Sequence, residues 1–472
     1  MARLPTDSEE FLHEFTRCDP ISVPASMRLL FLTYYFPPAG GIAVQRALKW
    51  ATYLPEFGWE PTVLTVEDGA FPHVDESLTE QIPDGLDVER TPWFNPFQWY
   101  KSAGGEGVPG VGFAGSSNRS LVSKAARWIR GNVFIPDARA GWVRHAVNRA
   151  AQLHREQPFD AVLTTGPPHS THVAGLRIQK RLNLPWIADF RDPWTEVYYY
   201  DDFPRSAVAR YIDANLEARV LRMADRIVSV GPRLADRLEE LAGLTEPPAV
   251  IYNGYDEADF QGAGFQEADF RRLGVRSTDH PVFTIGHVGT FSHSMNPPAL
   301  WEALAKLRAQ GERVALKFTG TLDQSVLDSL SAYGLRDNVD LIPPVSHAEA
   351  LRAMCTADVL LLSIPTSAPD QESILTGKLF EYLRAGRPIL AFGPAEGDAS
   401  AVLKHTERGS TFAHEGSSDG VLEWIHHQKT AFPSAALPVT PAVRAFERRS
   451  QAGQLAALLT EAVSHSSEST PA

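Results

Sequence analysis

The pattern that most constrains this chain is a repeated alternation of short apolar runs, loops rich in Gly or Pro, and amphipathic helices. It begins at Arg28, where the apolar run "RLLFLTYYF" leads into the loop "PPAGG". The segment "IAVQRALKWATYLPEFG" then spaces Val44, Leu48 and Leu54 near the helical period and stops at Gly58, and "EPTVLTV" follows as a second strand. A strand, loop, helix and strand in that order start a parallel α/β sheet, because parallel neighbours need a crossover long enough to hold a helix.

The alternation continues. "FDAVLTT", "PWIADF", "RIVSV" and "AVIYN" read as further strands, with helices to Leu182, over about Ala207 to Met223, and at "PRLADRLEEL". A second set opens near Pro281 with "VFTIGHV", then "VALKFTG", "NVDLIPP", "DVLLLSIP" and "PILAF". A helix starts at about Pro297, and "SHAE" places a capping box at Ser346 and Glu349. At 472 residues the chain exceeds one hydrophobic core. The expected organisation is a variable extension over 1–26, a first α/β domain over 27–255 and a second over 256–438. A helix over 439–463, from about Pro441, and a disordered tail over 464–472 complete it. The stretch from about Pro92 to Phe134 contains "SAGGEGVPGVGFAGSSN" and reads as an irregular surface loop, mobile over about 95–133. The fold class is α/β, with two doubly wound parallel-sheet domains. Ligands in such sheets bind at the carboxyl ends of strands, so the expected site is the cleft between facing loops.

Composition excludes several classes. A net charge of −13 argues against a general nucleic-acid binder. No apolar run reaches the roughly 18 residues of a membrane span, and the acidic first 26 residues lack the apolar core of a signal peptide. Cys18 and Cys355 lie too far apart for a metal spacing or a disulfide framework, which points to a reducing cytoplasm. One stretch departs from the acidic balance. From Lys124 to Arg155, seven basic residues face one acid, Asp137, for a local charge of +6. It is either a solvated basic face or a patch for an anionic membrane or acceptor.

The chemistry concentrates at strand ends. In "ESILTGKLFEYLRAGRPILAF", Thr376 can cap a helix from Gly377 to about Ala385 that Gly386 closes. A helix N-terminus presents free N–H groups and partial positive charge, which suits a diphosphate. Gly377 allows close approach, Lys378 adds a full charge, and Glu381 lies one turn on, where it can accept ribose hydroxyls. Lys378, Glu381 and Tyr382 share a face by spacing, while Leu379 and Leu383 point to the core. The alternative is a surface ion pair between Lys378 and Glu381. Gly40 and Gly41 form either a tight turn or a close approach to phosphate, and the absence of a full GxGxxG weakens a nicotinamide or flavin reading. "TTGPPHSTH" sets His169 in a strand-end loop and His172 in the following helix, as a site residue or a structural one. "IADFRDPW" gathers Asp189, Arg191, Asp192 and Trp194, as an anion site or a structural network, with Asp192 able to cap a helix. There is no zinc spacing, P-loop or Gly-x-Ser-x-Gly elbow.

In order, "YYFPPAGGIAVQR", "IPDARAGW", "TTGPPHSTH", "PWIADFRDPW", "VIYNGYD", "VGTFSHSMNPPAL" and "LTGKLFEYLRAGRPILAF" resemble family 4 glycosyltransferases, most of all the bacterial cell-surface and exopolysaccharide branch. The resemblance runs from about Arg28 to Ala462. It implies a GT-B fold: two Rossmann-like domains facing across a cleft, the last helix crossing back to the first. It also implies transfer of a sugar from a nucleotide-sugar donor, with retention, to a glycan, lipid-linked or small-molecule acceptor. By motif match, Thr376, Gly377, Lys378 and Leu379 would meet the diphosphate and Glu381 the ribose. Gly40 and Gly41 would close from the first domain, with Gly289 and Thr290 in the facing loop. His169 would lie near the transferred sugar. Glu372 falls near the family's first acid, but it stands nine residues before Glu381 rather than eight, which leaves that role between Glu372 and Ser373. No permanently bound cofactor or metal is expected. The rival readings are a nucleotide-sugar epimerase or hydrolase on the same fold, and a silent nucleotide-sugar-binding protein.

Overall fold

The computed structural model describes residues 26–69, 71–93, 128–197, 204–264, 282–368, 370–431 and 436–468. The extension expected over 1–26 and most of the loop expected over 95–133 lie outside these residues, as do Lys124 and Arg127.

The first sheet has seven strands, β1 (Met27–Thr33), β2 (Trp59–Val66), β3 (Asp87–Thr91), β4 (Ala161–Gly166), β5 (Trp186–Phe190), β6 (Arg226–Ser229) and β7 (Ala249–Val250). Their spatial order is β3-β2-β1-β4-β5-β6-β7. The second sheet has six, β8 (Phe283–Val288), β9 (Val314–Thr319), β10 (Val339–Ile342), β11 (Val359–Ser363), β12 (Ile389–Phe392) and β13 (Gly409–Phe412), in the order β10-β9-β8-β11-β12-β13. Every pairing is parallel. Helices cover both faces of a parallel sheet, so the central strands read as unbroken apolar runs: β4 and β11 are buried at every residue.

In chain order the helices are α1 (Ile42–Tyr53), α2 (Val143–Glu156), α3 (Ser170–Leu182), α4 (Ala207–Met223), α5 (Pro232–Ala242), α6 (Glu257–Gly262) and α7 (Pro298–Ala309). Then come α8 (Gln324–Ala332), α9 (His347–Thr356), α10 (Gly377–Ala385), α11 (Asp398–Thr406), α12 (Ser418–Ala431), α13 (Pro441–Arg444) and α14 (Arg448–Glu468). The capping box that opens α9 is formed by Ser346 and Glu349. The two sheets repeat one plan. Strand order reverses between β1 and β4 in the first and between β8 and β11 in the second, and such reversals leave a crevice at the strand ends. The loops after β1 and β4 carry Gly40, Gly41 and His169. Those after β8 and β11 carry Gly289 and the start of α10.

Four details differ from the sequence reading. A helical turn occupies 128–132, inside the stretch read as irregular. No helix follows Asp192 over 193–197, so it caps none. The C-terminal helix is broken into α13 and α14, and α14 continues to Glu468, into the segment expected as disordered tail. The basic stretch does not form one outward face: Arg139 is buried, Arg149 pairs with Glu89 at 3.0 Å, and Arg144 and Arg155 are exposed.

Several contacts join the halves, among them a buried apolar seam and an ion-pair cluster. Ala452, Leu455, Ala456 and Leu459 of α14 are buried in one cluster with Leu29, Phe31, Trp50 and Trp59 of the first domain. Replacing one such leucine by alanine typically costs about 2–5 kcal/mol. Arg233 of α5 binds Glu372 at 2.5 Å and faces Asp398 of α11 at 3.7 Å.

Candidate active site

The N-terminus of α10 lies at the strand reversal of the second sheet. Thr376 precedes it in extended geometry, but its side chain makes no cap bond, and its Oγ1 is buried without a partner. That corrects the capping role read from sequence. The first amides of the helix have no intrahelical acceptor, and nothing from the Thr376 side chain replaces one. Leu379 contributes less than expected: its side chain is in the core and its N–H is bonded to the Thr376 carbonyl at 3.1 Å. Tyr382 also leaves the face assigned to it. It is fully buried, and its hydroxyl accepts the Val288 N–H at 3.0 Å, which ties α10 to the end of β8.

Lys378 reaches under the loop after β8. Gly289 has φ +103°, and a Cβ there would stand 2.9 Å from Lys378 Nζ, so glycine both permits the turn and makes room for the ammonium. Gly320, at the end of β9, has φ +131°, and a Cβ there would meet the Gly289 carbonyl at 2.4 Å. Thr290 is exposed at the loop's outer side. Lys378 Nζ lies 3.3 Å from His287 Nε2. His287 Nδ1 lies 2.9 Å from the Leu361 carbonyl and Nε2 lies 3.4 Å from the Thr290 carbonyl; the shorter contact assigns the proton to Nδ1 and leaves Nε2 as the acceptor facing Lys378. Burial, then the Lys378 charge, pushes the His287 pKa down to about 3, so the ring is neutral. Burial pushes the Lys378 pKa down to about 8, against the opposing pull of Glu381. A half-buried ammonium with one neutral acceptor retains donors for an anion.

Glu381 does not pair with Lys378. Its Oε1 is 3.0 Å from His347 Nε2, at the first turn of α9, and this contact, ahead of the opposing effect of burial, raises the His347 pKa. The surface ion pair considered from spacing is therefore not formed. Glu372 is half exposed and bound to Arg233 across the domain junction, and Ser373 bonds to Asp370 at 2.5 Å. Neither joins the Lys378 group through a hydrogen bond or ion pair.

In the first domain, Gly41 (φ +108°) precedes α1 with open space around it, while Gly40 packs tightly against His73, whose Cδ2 would lie 2.6 Å from an added Cβ. His169 is buried, stacked on Trp194 with ring centroids 4.9 Å apart and planes 7° apart. Neither ring nitrogen makes a hydrogen bond of good geometry. Burial, then the nearby Arg191 charge, drives its pKa down to about 3. His172 lies behind it, 2.9 Å from Thr164 Oγ1 and stacked on Phe190. "DFRDPW" serves this shelf. Arg191 donates to the Gly166 and Pro167 carbonyls at 2.9 and 2.6 Å, Trp194 donates to Asp213 at 2.9 Å, and Asp189 forms a buried ion pair with Arg46 at 2.9 Å. The structural reading of that motif holds for these residues. Asp137, from "IPDARAGW", accepts the Ser170 N–H at 2.8 Å and so caps α3. His169 borders an open cleft of about 180 Å³ that Arg130, Arg139 and Arg205 also line.

His287, Gly320, His347 and Asp137 were not singled out as site residues from sequence. His287 had a usable signal, a histidine two residues before the strand-end Gly289. His347 had none, because its partner lies 34 positions away.

The profile of the glycosyl transferase 4-like domain matches residues 40–254. Solved structures share the fold at low identity. Anabaena HepE, solved in complex with UDP and glucose, is 18% identical with a TM-score of 0.56, over 92% of this chain and 100% of that one. Sucrose-phosphate synthase from Thermosynechococcus elongatus is 15% identical with a TM-score of 0.56, over 93% and 100%. The N-terminal domain of Candida albicans trehalose-6-phosphate phosphatase is 12% identical with a TM-score of 0.59, over 93% and 97%. No curated protein matches the sequence. Residues 40–254 thus carry a glycosyl transferase 4-like domain, and the two parallel-sheet domains share the GT-B fold of these structures.

Proposed function

We propose that the donor is a nucleoside-diphosphate sugar held by the second domain, with its diphosphate on the N-terminus of α10 and on Lys378 and its ribose on Glu381. The observation that carries this reading is the half-buried Lys378 ammonium, set beneath Gly289 with a neutral histidine as its acceptor. Uridine is the proposed base, by analogy with the UDP complex of the Anabaena relative. Gly41 closes on the phosphates from the first domain, with Gly289 and Thr290 opposite. The acceptor, a glycan or lipid-linked glycan, enters the cleft beside His169. The cytoplasm is the proposed compartment, supported by the free, buried thiol of Cys355.

The reaction follows from charge. As the bond between the sugar and the diphosphate oxygen breaks, positive charge grows on the sugar and negative charge on the leaving diphosphate. Lys378 and the α10 amides stabilise that leaving group, and preorganised groups of this kind are usually the largest catalytic contribution. The acceptor hydroxyl forms its bond to the sugar on the face the diphosphate leaves, and its proton passes to a diphosphate oxygen. The configuration is thereby retained. His169, neutral and held flat by Trp194, orients the sugar rather than moving the proton.

The test is a panel of nucleotides and nucleotide sugars by thermal shift, followed by turnover with and without acceptor glycans. The expected result is a shift with one nucleoside diphosphate, absent in Lys378→Ala, and nucleotide release only when acceptor is present. Release without acceptor would favour a hydrolase or epimerase. A shift unchanged in Lys378→Ala would overturn the assignment of the diphosphate.

A further inference from the structure

The outer face of α4 is unlike the rest of the surface. The helix turns Ala209, Asp213, Glu217, Val220 and Leu221 inward. Both of its carboxylates are thereby used inside: Asp213 binds Arg205 and Trp194, and Glu217 binds Thr195. The outward positions carry no acid. They carry Arg219 and Arg222, together with Val208 at 67%, Tyr211 at 71% and Ile212 at 48% exposure, while Arg210, exposed in the first turn, lies round the helix and donates to the Arg205 carbonyl. In a chain with 57 acidic and 44 basic residues, a helix of 17 residues with only arginines as outward charges inverts the local balance.

A second segment extends the face. The helical turn at 128–132 and the residue after it expose Trp128 at 51%, Ile129 at 43% and Val133 at 61%. Asn132 locks it to the start of α4, donating to the Pro204 carbonyl and accepting the Ser206 N–H, each at 2.7 Å. Among the described residues twelve large apolar side chains are exposed, and seven, counting Met223, lie on these two segments. Scattered apolar residues on a surface need no explanation, but a concentration of them does.

We infer that this face docks on an anionic lipid bilayer. The apolar side chains enter the headgroup boundary and the arginines meet lipid phosphates, the arrangement by which an amphipathic helix lies in the plane of a membrane. A second copy of the chain fits less well, because a two-fold contact would bring the same arginines against each other. Arg130 and Arg205 stand where the two segments meet and line the cleft that reaches His169, so docking opens the cleft toward the lipid. The docking stands independently of the donor assignment; only the delivery of a lipid-linked acceptor into the cleft rests on it. No helix among the described residues is long and apolar enough to cross a membrane, so the contact is made from one side.

The full chain is sedimented with vesicles of phosphatidylcholine alone and of phosphatidylcholine with phosphatidylglycerol. Binding to the anionic vesicles only is expected, weakening by about fivefold for each of Arg219→Glu and Arg222→Glu. The double variant Tyr211→Ser/Ile212→Ser should weaken it by about tenfold or more. These side chains are exposed, and an unchanged nucleotide-induced thermal shift confirms that each variant is folded. Loss of that shift in the unsubstituted chain would break the donor reading and leave the vesicle result standing. Equal binding to both vesicles, no binding, or a concentration-dependent dimer that the same substitutions dissolve would overturn the inference.

Discussion

The helices α3 and α10 occupy equivalent places, each after the strand beyond the reversal point of its own sheet. Their N-termini are treated oppositely. The first amide of α3 is taken by a carboxylate of the chain itself, Asp137, and the adjoining His169 is buried, neutral and stacked. The start of α10 has no side-chain cap, a buried unpartnered hydroxyl at Thr376, and a lysine whose hydrogen-bond neighbour is neutral His287. Two helix ends with the same partial charge therefore differ in what they can do. One has its anion built in, and the other is arranged for an anion from outside. Position at a strand end selects candidates, and the local supply of carboxylates decides between them.

Four substitutions or titrations would break or sharpen that contrast. The largest effect is expected for Trp194→Ala, which removes the fully buried ring under His169 and should cost about 3–5 kcal/mol in urea unfolding. A loss below about 1 kcal/mol would mean that the shelf is not packed as described. Lys378→Ala comes next. Turnover should fall about 10²–10³-fold while stability holds, because a half-buried ammonium without an ion-pair partner contributes little to folding. Wild-type turnover in this variant would remove α10 from the site.

Asp137→Ala should destabilise the protein by about 0.5–2 kcal/mol through loss of the α3 cap. The equivalent change Thr376→Ala, at an end with no side-chain cap, should cost less, and equal costs would erase the distinction between the two helix ends. The smallest effect is a pH dependence. If the ammonium form of Lys378 binds the diphosphate as proposed, nucleotide affinity should be level below its pKa of about 8 and fall above it, by at most about tenfold per pH unit. Lys378→Arg, which stays charged, should flatten the decline in a calorimetric titration. His169, with a pKa near 3, should add no limb between pH 5 and 8.

Much of this was legible beforehand. The alternation of apolar runs and helices shows both parallel sheets, and the limits of α10 match the reading from Thr376 and Gly386. Its inward face was misjudged at Tyr382, since a nine-residue helix packed on a sheet buries more of its circumference than an i, i+3, i+4 stripe suggests. His287 and Gly320 went unrecognised because their importance lies in Lys378 and Gly289, which approach them from separate strands and loops. The +6 stretch was read as either a solvated basic face or a patch for an anionic partner, yet its described arginines divide among a cleft, an ion pair and solvent, because charge counted along a chain carries no direction.

The sequence by itself determined the local rules: which segments form strands and helices, that the sheets are parallel, and that glycines stand where the backbone needs positive φ. Those properties depend on neighbours within a few positions. Only the tertiary structure decided which charges are already spent. Asp137 on Ser170, Glu381 on His347, Glu372 on Arg233 and Asp213 on Arg205 are contacts between groups that chain spacing alone does not pair. Electrostatic function depends on what remains unneutralised after those contacts form, and that remainder exists only once the chain has folded.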